Sequence, residues 1–296
     1  MKKTGVIGLG DMGSGLAKNL IKNGFQTMGF DLNDSRMKVF TEMGGEAAVN
    51  IREVGEHADA VFVMVMNGAQ VKDVIFGTEG LLSSLKPGSA IILTATIIAE
   101  EVRNLAQELK GAKVHLIDSP VSGGFPGAQG GTLTMMASGE QGVLDEFAPV
   151  MHAVSKTIHR VGTEPGMGQT VKACLQSLIG SIFTATFESS VLAAKAGVKG
   201  QVLFDVFSTS GAGCGVVNTA LENIIDRKFE GTGSHIATMH KDLTIVLDMA
   251  RQLGVPLFTA STAFQLFEAG KTKYPDGDNW TVTRVIEEIV KADVKR

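Results

Sequence analysis

Cysteine is nearly absent. Cys174 and Cys214 are the only two in 296 residues. They are far apart, with no histidines at ligand spacing, which excludes a disulfide framework and a zinc site and leaves no metal expected. Both are expected as reduced thiols, hence a cytoplasmic protein. A strong charge of either sign is also missing: 27 Lys+Arg against 31 Asp+Glu give a formal net charge of −4. Beyond local pairs such as Lys2-Lys3 no basic cluster occurs, so no nucleic-acid partner is expected. Long uncharged apolar runs are absent as well. Near the N-terminus the apolar stretch is only Val6-Ile7 and Leu9 before glycines and Asp11 intervene, too little for a signal peptide. The one longer apolar segment contains Lys172 and Glu188, which count against a membrane span.

What is present suffices for a sizeable core. Hydrophobic residues make up 44% and charged residues 20%, ordinary values for one large or two ordinary domains. The segment from Gly166 to Gly197 reads as one long helix, about 168–196, with Pro165 before its start and Gly197 placed to end it. About thirty residues give a rod of roughly 45 Å. Val171, Leu175, Leu178, Ile179, Ile182, Phe183, Phe187, Val191 and Leu192 cover most of its circumference, which predicts burial on nearly all sides. Lys172 interrupts that apolar surface, with Gln176 one turn later on the same face. Either Lys172 snorkels to water or it has a chemical task.

The chain before this helix has a repeating order. Thr4–Leu9 is a short apolar strand, followed by the turn Gly8-Leu9-Gly10-Asp11-Met12-Gly13 and a helix carrying Leu16, Ala17, Leu20 and Ile21. Strand, glycine turn and helix form the dinucleotide fingerprint. Gly8 permits the tight turn, Gly10 lets backbone approach a pyrophosphate, and Gly13 lets helix and strand pack closely. A second strand, 26–30, ends on Asp31. A carboxylate there suits ribose hydroxyls and repels a 2′-phosphate, so NAD is favoured over NADP, although Arg36 lies close enough to blur the preference. Further strands follow at 59–66 (ended by Asn67-Gly68), 90–93 (closed by Thr94-Ala95-Thr96) and 114–117 (closed by Asp118-Ser119-Pro120). Helical segments intervene, which indicates a parallel, doubly wound α/β sheet of Rossmann type whose ligands gather at the strand ends. Ser122-Gly123-Gly124 places a hydroxyl and two open backbone N–H groups beyond the last of these ends, a cradle for a carboxylate. No strand is expected after 158–161. The segments 201–207, 218–226, 233–253, 259–268 and 280–292 all have helical periodicity, so the C-terminal half is expected to be all helical. The expected division is a dinucleotide-binding domain, 1–164, and a helical substrate and oligomerisation domain, 165–296.

Four stretches in this order, VIGLGDMGSGLAKNL, DSPVSGGFPGAQGGTLTMMASG, GMGQTVKACLQ and HKDLTIVLDMARQLGVPLF, resemble the β-hydroxyacid dehydrogenases. That family includes 3-hydroxyisobutyrate dehydrogenase, tartronate semialdehyde reductase and the threonate dehydrogenases, and the resemblance covers the whole chain. It implies that Lys172 is catalytic and that Ser122, Gly123 and Gly124 hold the substrate carboxylate. It further implies that Thr96 lies near nicotinamide and substrate, that Met66 and Asn67 adjoin the cofactor, and that Lys241 closes over it. The sequence departs from the family pattern at Leu175 and Gln176, where two asparagines are usual; the threonate-type members also place glutamine at the second position. Thr94-Ala95-Thr96 keeps only the threonine of a common Asp-Ser-Thr. The segment 212–216 is small throughout, without the usual aromatic or arginine.

The activity so implied is hydride transfer between nicotinamide and a short hydroxy acid: a threonate-like sugar acid, 3-hydroxyisobutyrate, or glycerate with tartronate semialdehyde. Lys172 would act as general acid/base. A free lysine titrates near about 10.4, so burial would have to lower it. Gln176 suits a substrate hydroxyl or carboxylate. A homodimer or homotetramer is expected, with no membrane partner. Imine reduction on the same scaffold and a catalytically silent NAD-binding module remain alternatives, both weakened by the presence of Lys172.

Overall fold

The computed structural model describes all 296 residues, Met1–Arg296. The chain forms two compact units, Met1–Lys172 and Ala173–Arg296. In the first, strands and helices alternate as β1 (Thr4–Ile7), α1 (Asp11–Lys22), β2 (Thr27–Phe30), α2 (Asp34–Glu42), β3 (Glu46–Ala47), α3 (Ile51–His57), β4 (Ala60–Val63), α4 (Gly68–Phe76), β5 (Ala90–Leu93), α5 (Ala99–Glu108) and β6 (His115–Asp118). There follow β7 (Val121–Ser122), α6 (Gly124–Gly130), β8 (Leu133–Ser138), α7 (Gln141–His152) and β9 (Ser155–Gly162). The sheet order is β3-β2-β1-β4-β5-β6-β8-β7, with β9 paired to β8. From β3 to β6 every pairing is parallel, whereas β8 runs antiparallel to β6 and β7. The order reverses direction at β1, between β2 and β4, which is the switch point where doubly wound sheets take their ligands.

The central strands are buried on both faces because crossover helices cover both sides. Val6, Phe62, Ile92 and Ile117 enter one core with Leu16, Leu20 and Phe147. Ile7, Val61, Val63, Ile91 and Leu93 enter the other with Val71, Ile75 and Val102. Alternating side chains along each strand thus serve opposite cores, which is why the strands read as unbroken apolar runs. Residues 118–138 are more ordered than a strand end followed by a loop: Ser122 pairs with Thr134 in the ladder, and Gly124 opens the seven-residue α6.

The helix α8 (Met167–Lys195) begins in the first unit and continues into the second. The second unit is otherwise helical, with α9 (Gly200–Thr209), α10 (Gly215–Ile225), α11 (Ile236–Leu253), α12 (Phe258–Lys273) and α13 (Thr283–Val290). The periodic segment 280–292 is divided, with a 3₁₀ turn at Asn279–Val282 preceding α13. By length and composition α8 could cross a membrane. Phe183, Phe187 and Val191 instead form a stripe at four-residue spacing, packed with Ile224, Leu243, Phe267 and Trp280.

Burial on nearly all sides does not hold for α8. Leu178 and Leu192 are 59% and 72% exposed, because the other helices of the unit cover the Phe183–Phe187–Val191 stripe and leave the opposite side open. Val202 and Val206 of α9 are also exposed. The cost of hollowing the covered stripe should be large. Phe187 is fully buried, with its ring 5.8 Å from Phe183 and 6.2 Å from Phe267. Phe187→Ala is expected to remove about 3–5 kcal/mol from the helical unit. Urea unfolding followed by fluorescence of Trp280, the only tryptophan and 6.4 Å from Phe183, reads this unit directly.

Candidate active site

The glycine turn is held by close backbone contacts. Gly8 has φ +89°, and a Cβ there would sit 2.3 Å from the Met64 carbonyl oxygen. At Gly13 a Cβ would lie 1.8 Å from the Gly8 carbonyl oxygen, so α1 can begin only this close to β1 if position 13 has no side chain. Gly10 differs from both. A Cβ there would meet only the Arg36 guanidinium, at 3.8 Å, and no side chain caps α1 at this N-cap position. The helix thus presents its N-terminal N–H groups and positive dipole end, led by Asp11, Met12 and Gly13, toward open space beside Gly10. This suits the pyrophosphate of a dinucleotide.

Asp31 stands at the end of β2 with its side chain 8% exposed. One oxygen accepts from the Leu9 N–H at 2.7 Å and the other from the Asn33 N–H at 2.9 Å, while the Arg36 guanidinium lies 3.4 Å away. The carboxylate therefore joins the end of β2 to the glycine turn and is partly neutralised by Arg36; its remaining lone pairs are open to a ligand hydroxyl. Asn67 caps α4, accepting from the Gln70 N–H at 2.9 Å, and the Gln70 side chain in return accepts from the Met66 N–H. Ser122 is half-buried, while Gly123 and Gly124 are exposed, with φ of +129° and +58°.

Thr96 follows the end of β5, and the residues on either side of it are bonded to α8. The Gln169 amide donates to the Ala95 carbonyl oxygen at 3.0 Å, and its oxygen accepts from the Ile97 N–H at 3.1 Å. The same amide nitrogen donates to Asp118 at 3.0 Å, and the Gln169 backbone N–H to the other Asp118 oxygen at 3.3 Å. Gly166 and Gly168 also direct backbone N–H groups at Asp118. A Cβ on Gly168 would lie 2.6 Å from the Met136 carbonyl oxygen and 2.7 Å from that of Asp118, so glycine lets α8 start directly on the strand ends. Lys172, on the second turn of this helix, is buried.

Within the first unit, β1, β2, β4, β5 and β6 are parallel neighbours. One edge of the sheet therefore gathers Gly8–Gly13, Asp31, Met66, Asn67 and Thr96, with Ser122 to Gly124 just beyond β6 and Lys172 on the helix docked there. The second unit holds Gln176 and Lys241 around Asp242. Gln176 donates to one Asp242 oxygen at 2.6 Å, and the Lys241 ammonium lies 3.2 Å from the other. Since a carboxylate only accepts, the Gln176 amide nitrogen must face it, which leaves the Gln176 oxygen as the group on offer. Gln169, Asp118 and Asp242 are not among the site residues expected from the sequence. Signals for each existed: an amide three residues before Lys172, an acid closing β6, and an acid following Lys241.

Two family models match the chain. The NAD binding domain of 6-phosphogluconate dehydrogenase matches residues 3–162, and the NAD-binding domain of NADP-dependent 3-hydroxyisobutyrate dehydrogenase matches residues 166–286. The chain is 35% identical over 293 residues to L-threonate dehydrogenase of Escherichia coli (strain K12), covering 98% of this chain and 97% of that protein. It is 30% identical to 2-(hydroxymethyl)glutarate dehydrogenase of Eubacterium barkeri, over 91% of this chain and 89% of the relative. Among solved structures, 3-hydroxyisobutyrate dehydrogenase from Salmonella typhimurium superposes with a TM-score of 0.88 at 32% identity, covering 96% of this chain and all of that one (100%).

Burial pushes the Asp118 carboxyl up to about 6, against the lowering pull of the N–H groups of Gln169, Gly168 and Gly166. An unfolded aspartate titrates near 3.8. Between these values the folded protein binds a proton that the unfolded chain has released, so this group's contribution to stability is complete below pH about 4 and is lost as pH rises past 6. The span corresponds to about 3 kcal/mol. Asp118→Asn is expected to flatten this part of the stability profile, and denaturant unfolding between pH 4 and 7 (about the window of the shift) checks it. Identical slopes in both proteins would show that Asp118 does not titrate there.

Proposed function

The chain belongs to the β-hydroxyacid dehydrogenase family of nicotinamide-dependent oxidoreductases, and on that premise we propose that it oxidises a threonate-like sugar acid with NAD, using Lys172 as general base. The observation that carries this reading is the burial of Lys172 on a helix bonded to the ends of β5 and β6, the same edge that holds the uncapped glycine turn. A bound nicotinamide would supply the hydride acceptor for the carbinol carbon. Lys172 takes the hydroxyl proton in oxidation and returns it in reduction. The Ser122 hydroxyl and the backbone of Gly123 and Gly124 hold the carboxylate, which sets distance and face for transfer. Thr96 stands beside the reacting carbon. We assign residues 1–164 to dinucleotide binding, together with the carboxylate loop and Thr96, and residues 165–296 to substrate binding and oligomerisation, together with Lys241.

The cofactor is held by the turn from Gly8 through Asp11, Met12 and Gly13, by Asp31 at the ribose, by Met66 and Asn67, and by Lys241. Asp31 supports NAD over NADP through repulsion of a 2′-phosphate, with Arg36 tempering the preference. For the substrate, a Gln176 oxygen left as an acceptor by Asp242 suits a substrate hydroxyl, which supports a multiply hydroxylated acid. That agrees with the threonate dehydrogenase relative; 3-hydroxyisobutyrate and glycerate are the other candidates. Both cysteines are free thiols, in keeping with a cytoplasmic protein. Exposed Leu178, Leu192, Val202 and Val206 support a homodimer or homotetramer that covers them. Sedimentation is expected to show one of these; a monomer at micromolar concentration would refute the assembly.

The test is initial-rate NAD and NADP reduction over a panel of short 2- and 3-hydroxy acids. A threonate-like acid is expected to turn over, with NAD favoured by about tenfold or more, the weight of one charge contact. Lys172→Ala is expected to lower kcat by about 10²- to 10⁴-fold while NAD affinity holds. Undiminished turnover in that variant would remove Lys172 from the mechanism. Silence of the wild-type protein toward every acid, with NAD still bound, would favour imine reduction or a non-catalytic module.

A further inference from the structure

Gln169 is the most completely bonded amide near the candidate active site. It is 2% exposed, and its side chain has two N–H donors and one oxygen to place. Both donors are used, on the Ala95 carbonyl and on Asp118, and the oxygen takes the Ile97 N–H. Both donors are committed within the protein and the side chain is almost wholly buried, so Gln169 is not placed to contact a substrate or cofactor. Its partners, however, bracket Thr96: the carbonyl before it and the amide after it are fixed to one side chain. With peptide planes rigid, holding both neighbours fixes the direction in which Thr96 leaves the backbone. Gln169 also lies three residues before Lys172, and residues at that spacing share a helix face. One side chain therefore spans the end of β5, the end of β6 and the helix that carries the lysine.

We propose that Gln169 is a positioning residue that sets the spacing between Thr96 and Lys172. The proposal rests on Lys172 being the proton carrier. Its chemistry explains why an amide is needed. Glutamate would set a second acceptor against the Ala95 carbonyl and Asp118. Leucine or methionine would fill the volume but leave the Ala95 carbonyl, the Ile97 N–H and one Asp118 oxygen without this partner. Asparagine has the right groups on a stem one methylene short. The relative position of Thr96 and Lys172 is therefore expected to relax in all of these variants, while the glycine turn and Asp31, which make no bond to Gln169, keep their geometry.

The test uses the full chain with NAD bound, comparing Gln169→Leu with wild type; Gln169→Met serves if the leucine variant does not fold. For the acid turned over by the wild type, kcat is expected to fall by about 10- to 100-fold, the size of effect produced by small misplacement. KM for the acid and affinity for NAD are expected to stay within about threefold, so that the loss lies in kcat. A second readout needs no substrate. In lysine-labelled protein, the Lys172 side-chain NMR resonance, identified by its loss in Lys172→Arg, should shift in position and titration midpoint while the other lysines do not.

A wild-type kcat with an unmoved Lys172 resonance overturns the proposal. So does a loss of kcat that merely follows loss of NAD affinity, because that is general disruption. Undiminished turnover in Lys172→Ala is a separate failure: it removes the lysine mechanism, and with it the role assigned to Gln169, whatever the resonance does. Should no acid turn over, the resonance alone decides.

Discussion

The first unit depends on how a helix start is joined to two strand ends. Asp118 closes β6 in an almost fully buried position, where an ionised carboxylate lacking partners would be strongly disfavoured. The partners are the N–H groups at the head of α8, from Gly166, Gly168 and Gln169, groups that any helix leaves without an internal acceptor. Each answers part of the other's need: the acid gains donors and the helix gains an acceptor at its positive end, although burial still outweighs the donors and keeps the carboxyl raised. The absence of a side chain at Gly168 lets the two approach, with the Met136 and Asp118 carbonyls lying where a Cβ would go. Lys172 owes its place in the protein to this junction.

Much of the architecture was legible because its signals are local. A glycine turn between a strand and a helix, an acid closing the next strand, and Val/Ile-rich runs in alternation with helices each lie within a few dozen residues. The Asp118–Gln169 junction was not legible because its partners stand 51 residues apart, and an acid before Ser-Pro is commonplace. Residues 124–130 form a helix although glycine opens and closes the segment; tertiary contact with α1 outweighs propensity there, since Gly15 of α1 packs against the Ala128 backbone. The exposed side of α8 was misjudged for another reason. Composition around a helix shows which residues are apolar, but not how many neighbours the chain supplies to cover them.

In the helical unit the same limit applies to charge. Lys241 stood out through its resemblance to a cofactor-binding lysine, whereas Asp242 beside it went unremarked. Yet Asp242 is the buried member, and it orients both Gln176 and Lys241. His240, which precedes Lys241 on α11, faces elsewhere: it bonds Glu268 and lies tilted against Phe264 with ring centroids 4.9 Å apart. One acid thus dictates which end of the Gln176 amide is left for a ligand and holds the Lys241 ammonium beside it.

The bond from the Leu9 N–H to Asp31 bears on how such a protein could change over generations. Asp31, the side chain proposed above to favour NAD over NADP, is also a strut of the turn proposed to hold the pyrophosphate that both dinucleotides share. A drift in preference that began at position 31 would loosen that turn, and the protein would lose grip on both cofactors before it gained a liking for the other. Arg36 carries no such double duty. It is half exposed, and its guanidinium pairs with Asp31. A change of cofactor preference is therefore expected to cost the turn less at residue 36 than at residue 31.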